Sequence, residues 1–335
     1  MKITFWGVRG SVPSPLTGAQ VASKVRDSLM KCMANPPKDS PGRPVNEIVT
    51  EWMQRELSFG ERSTFGGNTT CVEVRCGDVP IILDMGTGLR ELGIRQMDEL
   101  VSTGKLEGHI LQSHVHWDHI QGVPFWKPLY APRRKFPDCR FTFYGGKEWE
   151  LDLQAALRQQ MHGQVFPVQF EEIRRVGMTM GFETVFDMWS AELGTKDGSA
   201  KVLARKLHHP QETFGYRLSH GGKTIAFTTD HEPYAEDIPR GLLELVEGVD
   251  VWITDCQYTL HEYLGLKGGV QKLGWGHSFP EYIARVTKAA KPGLVVTTHH
   301  DPEASDEAIE EIAKAVQAES GIRTLAAHEG LVLDV

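Results

Sequence analysis

Alternating and short apolar runs along the chain predict β-strands separated by helices. Strands are predicted at 2–8, 70–75, 79–84, 141–144, 201–207, 214–218, 223–228, 250–254 and 294–298. Apolar residues at helical spacing predict helices at 148–161, 279–290 and 302–318. Because strands and helices follow one another and polar residues collect at the strand ends, the pattern is typical of a layered α/β protein.

A different pattern at about 16–62 predicts a helical insertion within a single domain that spans residues 1–335. Apolar residues recur every four positions from Val21 to Met33, prolines interrupt this run, and a second amphipathic stretch covers 45–57. The insertion is either a surface decoration, a lid or a dimer contact. Because an exposed apolar face of this extent is a liability, we expect it to pack over the site or against a second subunit, which makes a homodimer possible.

Composition describes an ordinary globular chain of 335 residues, with 40% hydrophobic and 24% charged residues. The N-terminus runs directly into strand-like sequence, and no apolar run is long enough to cross a bilayer, so we expect a cytoplasmic protein without a membrane partner. Five cysteines without a Cys-x-x-Cys spacing fit reduced thiols better than a disulfide framework.

The formal net charge of −8 narrows the range of substrates. Binding of long nucleic acid depends on neutralising many phosphates with Lys and Arg, so we expect no long nucleic acid as partner. A small phosphodiester is still compatible with this charge as a substrate, because bound metal ions would supply positive charge locally.

Four side chains able to bind a metal lie within six positions: His114, His116, Asp118 and His119. On an extended segment, residues two apart point the same way, so His114 and His116 would share a face. A turn at the strand end would bring Asp118 and His119 back to the same point. Imidazole and carboxylate donors suit zinc or a similar divalent ion. The alternative is a solvated His-rich loop, but the density of the pattern favours a metal site.

This His-x-His-x-Asp-His pattern after a strand resembles the signature of the metallo-β-lactamase superfamily. Further matching segments lie at 2–11, 66–71, 84–88, 209–210, 214–217, 229–230 and 299–302. Together they resemble the branch that contains ribonuclease Z and the cyclic-phosphate and cyclic-nucleotide phosphodiesterases. The resemblance covers most of the chain except roughly 16–62. It implies an αββα sandwich, in which two mixed β-sheets are flanked by helices.

The resemblance also implies two divalent metal ions, with zinc expected first and manganese as the alternative. One ion would be held by His114, His116 and His209, the other by Asp118, His119 and His299, and Asp230 would bridge them. His208 competes with His209, and His300 competes with His299. Because adjacent residues on extended chain point in opposite directions, only one of His208 and His209 is expected to bind.

Other residues are expected to act around the ions. Asp84, at a strand end, is expected to accept a proton from a ligand imidazole, although it is also placed to cap the helix beginning near Leu89. Gly276-His277-Ser278 resembles the loop with which this phosphodiesterase branch protonates the leaving oxygen, so His277 is a candidate general acid, with Ser278 as a possible helix cap. His162 and His231 are candidate substrate contacts.

The sequence therefore predicts a binuclear metal-dependent phosphodiesterase that cleaves a small cyclic nucleotide or cyclic ribose phosphate. A hydroxide held between two cations would be the nucleophile, oriented or deprotonated by Asp118. A lactone or thioester hydrolase of the same fold is the first alternative, and it would not need His277. A non-catalytic binding protein is the second, weakened by the complete ligand set.

Overall fold

The computed structural model describes residues 1–38, 41–148, 151–195, 198–234, 237–266 and 269–335. Within these residues the strands form two seven-stranded sheets and one two-stranded ribbon. The first sheet contains, in order, β16 (Val332–Asp334), β1 (Lys2–Gly7), β2 (Cys71–Cys76), β3 (Val79–Leu83), β4 (Lys105–Leu111), β5 (Asp138–Gly145) and β8 (Thr179–Thr184). The second contains, in order, β15 (Thr324–Ala326), β14 (Leu294–Thr298), β13 (Val251–Asp255), β12 (Lys223–Thr228), β11 (Thr213–His220), β10 (Gly198–Leu207) and β9 (Ser190–Thr195).

Both sheets are mixed. In the first sheet β3, β4, β5 and β8 run parallel, while β16, β1, β2 and β3 are antiparallel neighbours. In the second sheet β9 to β12 are antiparallel and β12 to β15 are parallel. Parallel strands end at a common edge, where ligands of open α/β sheets usually bind. Polar residues that follow β3 and β4, or β12, β13 and β14, are therefore gathered at the same edge of their sheet.

Helices cover the outer faces of the two sheets. The helices are α1 (Gly18–Ala34), α2 (Val45–Glu56), α3 (Phe59–Arg62), α4 (Leu89–Thr103), α5 (Trp117–Ile120), α6 (Leu153–Gln160), α7 (Phe170–Val176), α8 (Arg240–Val246), α9 (Leu260–Tyr263), α10 (Pro280–Ala290) and α11 (Asp306–Ser320). Among the described residues, none of these helices has both the length and the apolar character needed to span a bilayer.

Three apolar clusters define the layers. The inner faces of the two sheets meet in one cluster, where Phe5 and Val72 of the first sheet join Phe214 and Ile225 of the second, all fully buried. A second cluster packs α4 and α6 against the first sheet, and a third packs α8, α10 and α11 against the second. Burial of this apolar surface is the main favourable term for folding. The predicted αββα sandwich of two mixed sheets is confirmed.

Two of the differences from the sequence predictions lie between β5 and β10. The helix expected at 148–161 begins only at Leu153, with Asp152 as its N-cap, because β6 (Lys147–Glu148) pairs with β7 (Leu151–Asp152) just before it. Residues 149 and 150 of that prediction lie outside the described part of the chain. The strands β8 and β9 were not predicted, because their alternating residues are largely exposed and carry little apolar pattern.

The insertion at 16–62 is helical, as predicted, and contains α1, α2 and α3. It is anchored by the ion pair between Lys24 and the buried Asp306, 2.8 Å apart, and by the buried Trp52. However, Leu29 and Met33 on the apolar face of α1 are 58% and 84% exposed, so this face is not packed over the site. Packing against a second subunit stays a prediction, as does the single-domain interpretation of residues 1–335.

Candidate metal centre

The first group of donor atoms forms where the chain leaves β4. The Nε2 atom of His114 lies 2.9 Å from Nδ1 of His116, and Nε2 of His209 lies 3.1 Å from the same nitrogen. Asp230, which follows β12, places Oδ2 3.6 Å from Nε2 of His114. Donor atoms of these four residues all lie within 4.8 Å of one another. Histidines from both sheets thus converge with one carboxylate.

The second group lies beside the first. Nε2 of His299 is 3.2 Å from Oδ2 of Asp118 and 3.2 Å from Nε2 of His119. Asp230 reaches this group as well: its Oδ2 is 3.3 Å from His119 Nε2, and its Oδ1 is 3.2 Å from His299 Nε2. The geometry brings together all seven predicted ligands, and Asp230 lies between the two groups.

The competing histidines point elsewhere. His208 directs Nδ1 towards the carbonyl of Glu232, 3.3 Å away, and its ring packs on Tyr234. The Nε2 atom of His300 lies 2.9 Å from the carbonyl of Ala327, and burial lowers the pKa of His300 to about 3. The structure therefore places His209 and His299 in the groups of donor atoms, and their neighbours outside them.

Hydrogen bonds fix the orientation of three of the predicted ligand imidazoles. Asp84 accepts from Nδ1 of His119 at 2.8 Å. Likewise, Nδ1 of His299 donates to the side-chain oxygen of Gln257, and Nδ1 of His209 donates to the carbonyl of Gly276. In each case the proton on Nδ1 leaves the lone pair of Nε2 facing the centre. The role predicted for Asp84 matches this contact, whereas the alternative as a helix cap is wrong, since the N-cap of α4 is Gly88.

The electrostatics fit a bound cation. Burial lowers the pKa of His114 well below its usual value and that of His209 to about 4, so both imidazoles are neutral, as metal ligands must be. Burial would lower the pKa of His119 too, but the carboxylates of Asp118, Asp230 and Asp84 raise it well above its usual value. Several buried carboxylates around one imidazole leave an excess of negative charge, which divalent ions would neutralise.

The backbone is forced into unusual conformations at the strand ends. Asp84, Asp230 and His299 have φ angles of 62°, 50° and 56°, in the left-handed region. Such conformations in non-glycine residues collect at functional sites, where surrounding structure holds them in place. Gly10 is required for a steric reason, because a Cβ atom there would lie 2.4 Å from the ring of His299.

His277 lies at the edge of the centre. Its Nδ1 atom is 3.5 Å from Oδ2 of Asp255, and its ring stacks on His299 with 5.0 Å between centroids. The predicted helix after it is confirmed as α10, but Ser278 is not the helix cap. The hydroxyl of Ser278 donates instead to the carbonyl of His231 at 2.5 Å, so this serine ties the loop to the end of β12.

The two histidines expected to contact substrate lie outside the two groups. His231 is 2% exposed, with Nδ1 3.1 Å from Oδ1 of Asp255 and its ring near Tyr282. His231 as a substrate contact stays a prediction, because His114 and His299 within the groups are buried to a similar degree. His162 lies on an exposed turn after α6, where its role stays a prediction.

Two buried carboxylates were missed by the sequence analysis. Asp255 ends β13 and accepts from the backbone of Ser278. Burial alone would raise its pKa, but the neighbouring imidazoles of His231 and His277 lower it to about 2. Glu232 accepts from the Tyr263 hydroxyl at 2.6 Å and from two backbone amides of the loop before His277. In the sequence, only the position of Asp255 and Glu232 after predicted strands pointed to a role for these carboxylates.

Replacing Asp84 tests the support of the ligand histidines. We expect Asp84→Ala to weaken metal binding by about 10- to 100-fold, because His119 loses the acceptor that fixes its orientation. Competition with a chromogenic chelator measures this. Asp98→Ala, which removes an exposed carboxylate on α4, is the matched control, and Asp84→Asn serves if the alanine variant does not fold. Wild-type affinity in a folded variant at position 84 would contradict this role.

Comparison with known proteins agrees with this architecture. A family model described as a beta-lactamase superfamily domain matches residues 81–300, more than half of the chain. Ribonuclease BN of Salmonella paratyphi C (strain RKS4594) is 30% identical over 165 residues, which are 46% of this chain and 48% of that protein. This match thus spans about half the length of the relative.

Solved structures share the fold over the whole chain. A diphosphatase from the PhnP family superposes with a TM-score of 0.58 at 17% identity, over 100% of this chain and 97% of that one. Zinc-bound PqqB from Methylobacterium extorquens gives a TM-score of 0.59 at 15% identity, over 100% of both chains. The chain therefore belongs to the beta-lactamase superfamily, as its motifs predicted, and it has the metallo-β-lactamase fold.

Proposed function

We propose that this protein is a binuclear metal-dependent hydrolase, and that it acts as a phosphodiesterase on a small cyclic nucleotide or cyclic ribose phosphate. The observation that carries the proposal is the pair of donor groups joined by Asp230. The sequence relative is named as a ribonuclease and one structural relative as a diphosphatase, which supports phosphorus chemistry.

The donor atoms suit two divalent ions. His114, His116 and His209 would hold one, Asp118, His119 and His299 the other, and Asp230 both. Five imidazoles with two carboxylates favour zinc, and manganese is the alternative. When bound, two such ions lower the pKa of water and polarise phosphate oxygens, which makes in-line displacement at phosphorus possible near neutral pH.

The protein's own groups would position and transfer protons. Oδ2 of Asp118 is held by the backbone amide of Ser11 at 2.8 Å, so this carboxylate has a fixed position from which to accept a proton from the attacking water. On the other side of the centre, Oδ2 of Asp255 lies 3.5 Å from Nδ1 of His277. His277 would then donate its proton to the leaving oxygen and return to the neutral form.

The same arrangement supports a phosphodiesterase over the alternatives. A lactone or thioester hydrolase would have no need for an imidazole with a buried carboxylate beside it at the edge of the site, such as His277 beside Asp255. The net charge of −8 supports a small substrate, because it offers no excess of cations for a long phosphate backbone.

The experiment compares substrate classes with one preparation of metal-loaded protein. We expect bis(p-nitrophenyl) phosphate and a cyclic phosphodiester to be hydrolysed, whereas a panel of lactones and thioesters is not. Asp230→Asn is the control for contaminating hydrolases, since it should lose the activity. Turnover of the lactones or thioesters without phosphodiester turnover would overturn the proposal.

A further inference from the structure

An exposed aromatic side chain stands next to the candidate general acid. Trp275 is two residues before His277 and is 48% exposed. The ammonium group of Lys272 lies 4.0 Å from the centroid of the Trp275 ring and 5.5 Å from that of Tyr258. The ring of Tyr258 is in turn 5.8 Å from the ring of His277. A cation and two aromatic rings are therefore continuous with the reaction centre.

The backbone around Trp275 is held rigidly although its side chain is exposed. Gly274 and Gly276, on either side, have φ angles of 83° and 88°, and both amides donate to the buried carboxylate of Glu232. A Cβ atom at Gly276 would lie 2.0 Å from Nδ1 of His209, so the loop is pressed against a ligand histidine. A rigid support for an exposed indole favours binding, because little conformational entropy is lost when a ligand stacks on it.

Lys272 adds charge to this surface. Among the described residues, no salt bridge involves its ammonium group, which packs on the two rings instead. In a chain of net charge −8, a cation at the site mouth attracts an anionic ligand. The ammonium group of Lys272 also lies over one face of the Trp275 indole. The exposed part of that ring is available for stacking.

We propose that Trp275 and Lys272 form a subsite for the base of a nucleoside phosphodiester, which makes the substrate a cyclic nucleotide and not a base-free cyclic ribose phosphate. This inference rests on the proposed function and specifies its substrate class. Stacking on an aromatic side chain accepts any base, because every base has a π-face. The subsite therefore selects for the presence of a base and not for its identity.

The test compares two substrates that differ only in the base: a nucleoside 2′,3′-cyclic phosphate and methyl ribofuranoside 2′,3′-cyclic phosphate. We expect Trp275→Leu to raise KM for the nucleoside compound by roughly 5- to 150-fold while kcat stays within about twofold. KM for the base-free compound should not change. Trp275→Phe should restore most of the binding, and Lys272→Gln should give a smaller rise. Phe186→Leu, at an exposed aromatic between β8 and β9, is the matched control.

Calorimetry on the metal-loaded protein separates this inference from the proposed function. We expect a nucleoside monophosphate to bind more tightly than ribose 5-phosphate to the wild type, and the difference to vanish in Trp275→Leu. Equal binding of the two compounds to the wild type, or a preference that survives Trp275→Leu, would overturn the subsite even if phosphodiesters are hydrolysed. Base binding that depends on Trp275 in a protein without phosphodiesterase activity would support the subsite and refute the function.

Discussion

Asp230→Asn should leave the protein with at most one divalent ion per chain after dialysis, against two for the wild type. The reason is that Asp230 lies within 3.6 Å of donor atoms of both groups, so its removal weakens both positions at once. We expect the loss in affinity to exceed the ~100-fold that removal of a supporting hydrogen bond causes. Elemental analysis by mass spectrometry, normalised to protein concentration, measures the ion content directly.

Asp230→Asn is a more specific test of metal binding than Asp230→Ala. Asparagine tolerates the left-handed conformation that Asp230 adopts, so a loss of metal cannot be attributed to a disturbed backbone. Asp230→Ala should lose at least as much metal. The exposed Asp98 on α4, changed to alanine, controls for the loss of one negative charge. Two ions retained in Asp230→Asn, or fewer than two in a metal-supplemented wild type, would refute the binuclear site.

His277→Ala should reduce hydrolysis of a cyclic nucleotide by roughly 10²–10⁴-fold. A sugar alkoxide is a poor leaving group and needs a proton as the P–O bond breaks, whereas a nitrophenolate leaves without help. The same variant should therefore lose much less activity on bis(p-nitrophenyl) phosphate. Steady-state rates on the two substrates, at a metal content equal to that of the wild type, give the comparison.

Asp255→Asn extends the same test. It keeps an oxygen for the backbone amide of Ser278 but removes the charge beside His277. We expect it to impair the cyclic nucleotide more than the nitrophenyl ester, with a smaller loss than His277→Ala. Equal losses on both substrates in His277→Ala would mean that the imidazole positions substrate or supports its loop. No loss on either substrate would remove it from the mechanism.

Most of the strands and the cluster of metal-capable side chains at 114–119 could be predicted from the sequence because their signals are local. Short apolar runs predicted most strands. Four metal-capable side chains within six residues predicted the position of the candidate metal centre beside β4. Resemblance then selected His209 and His299 over their neighbours, which the structure directs to backbone carbonyls elsewhere. Single histidines after distant strands reach the centre only through the pairing of β10 to β14, which no local pattern records.

The residues that support the site could not be predicted, because their roles also depend on contacts that only the fold creates. Asp255 and Glu232 are single carboxylates, and each gains its role from backbone amides or imidazoles brought close by the fold. The error at Ser278 has a similar origin, since a serine before a helix is a frequent cap, but here the end of β12 offers its hydroxyl a buried carbonyl. The subsite at Trp275 depends on a cation and a ring that approach from separate positions.

The left-handed backbone at Asp84, Asp230 and His299 bears on how such a site persists over evolutionary time. Each conformation is expected to destabilise the fold by of order 1–3 kcal/mol, in a molecule whose total stability is about 5–15 kcal/mol. Glycine at any of the three positions would relieve the strain, so selection for stability alone would remove these side chains. In a protein that served only as a scaffold, glycine could replace these residues without loss of function. Three left-handed residues that keep their side chains at one site are what selection for a function, and not for stability alone, would produce.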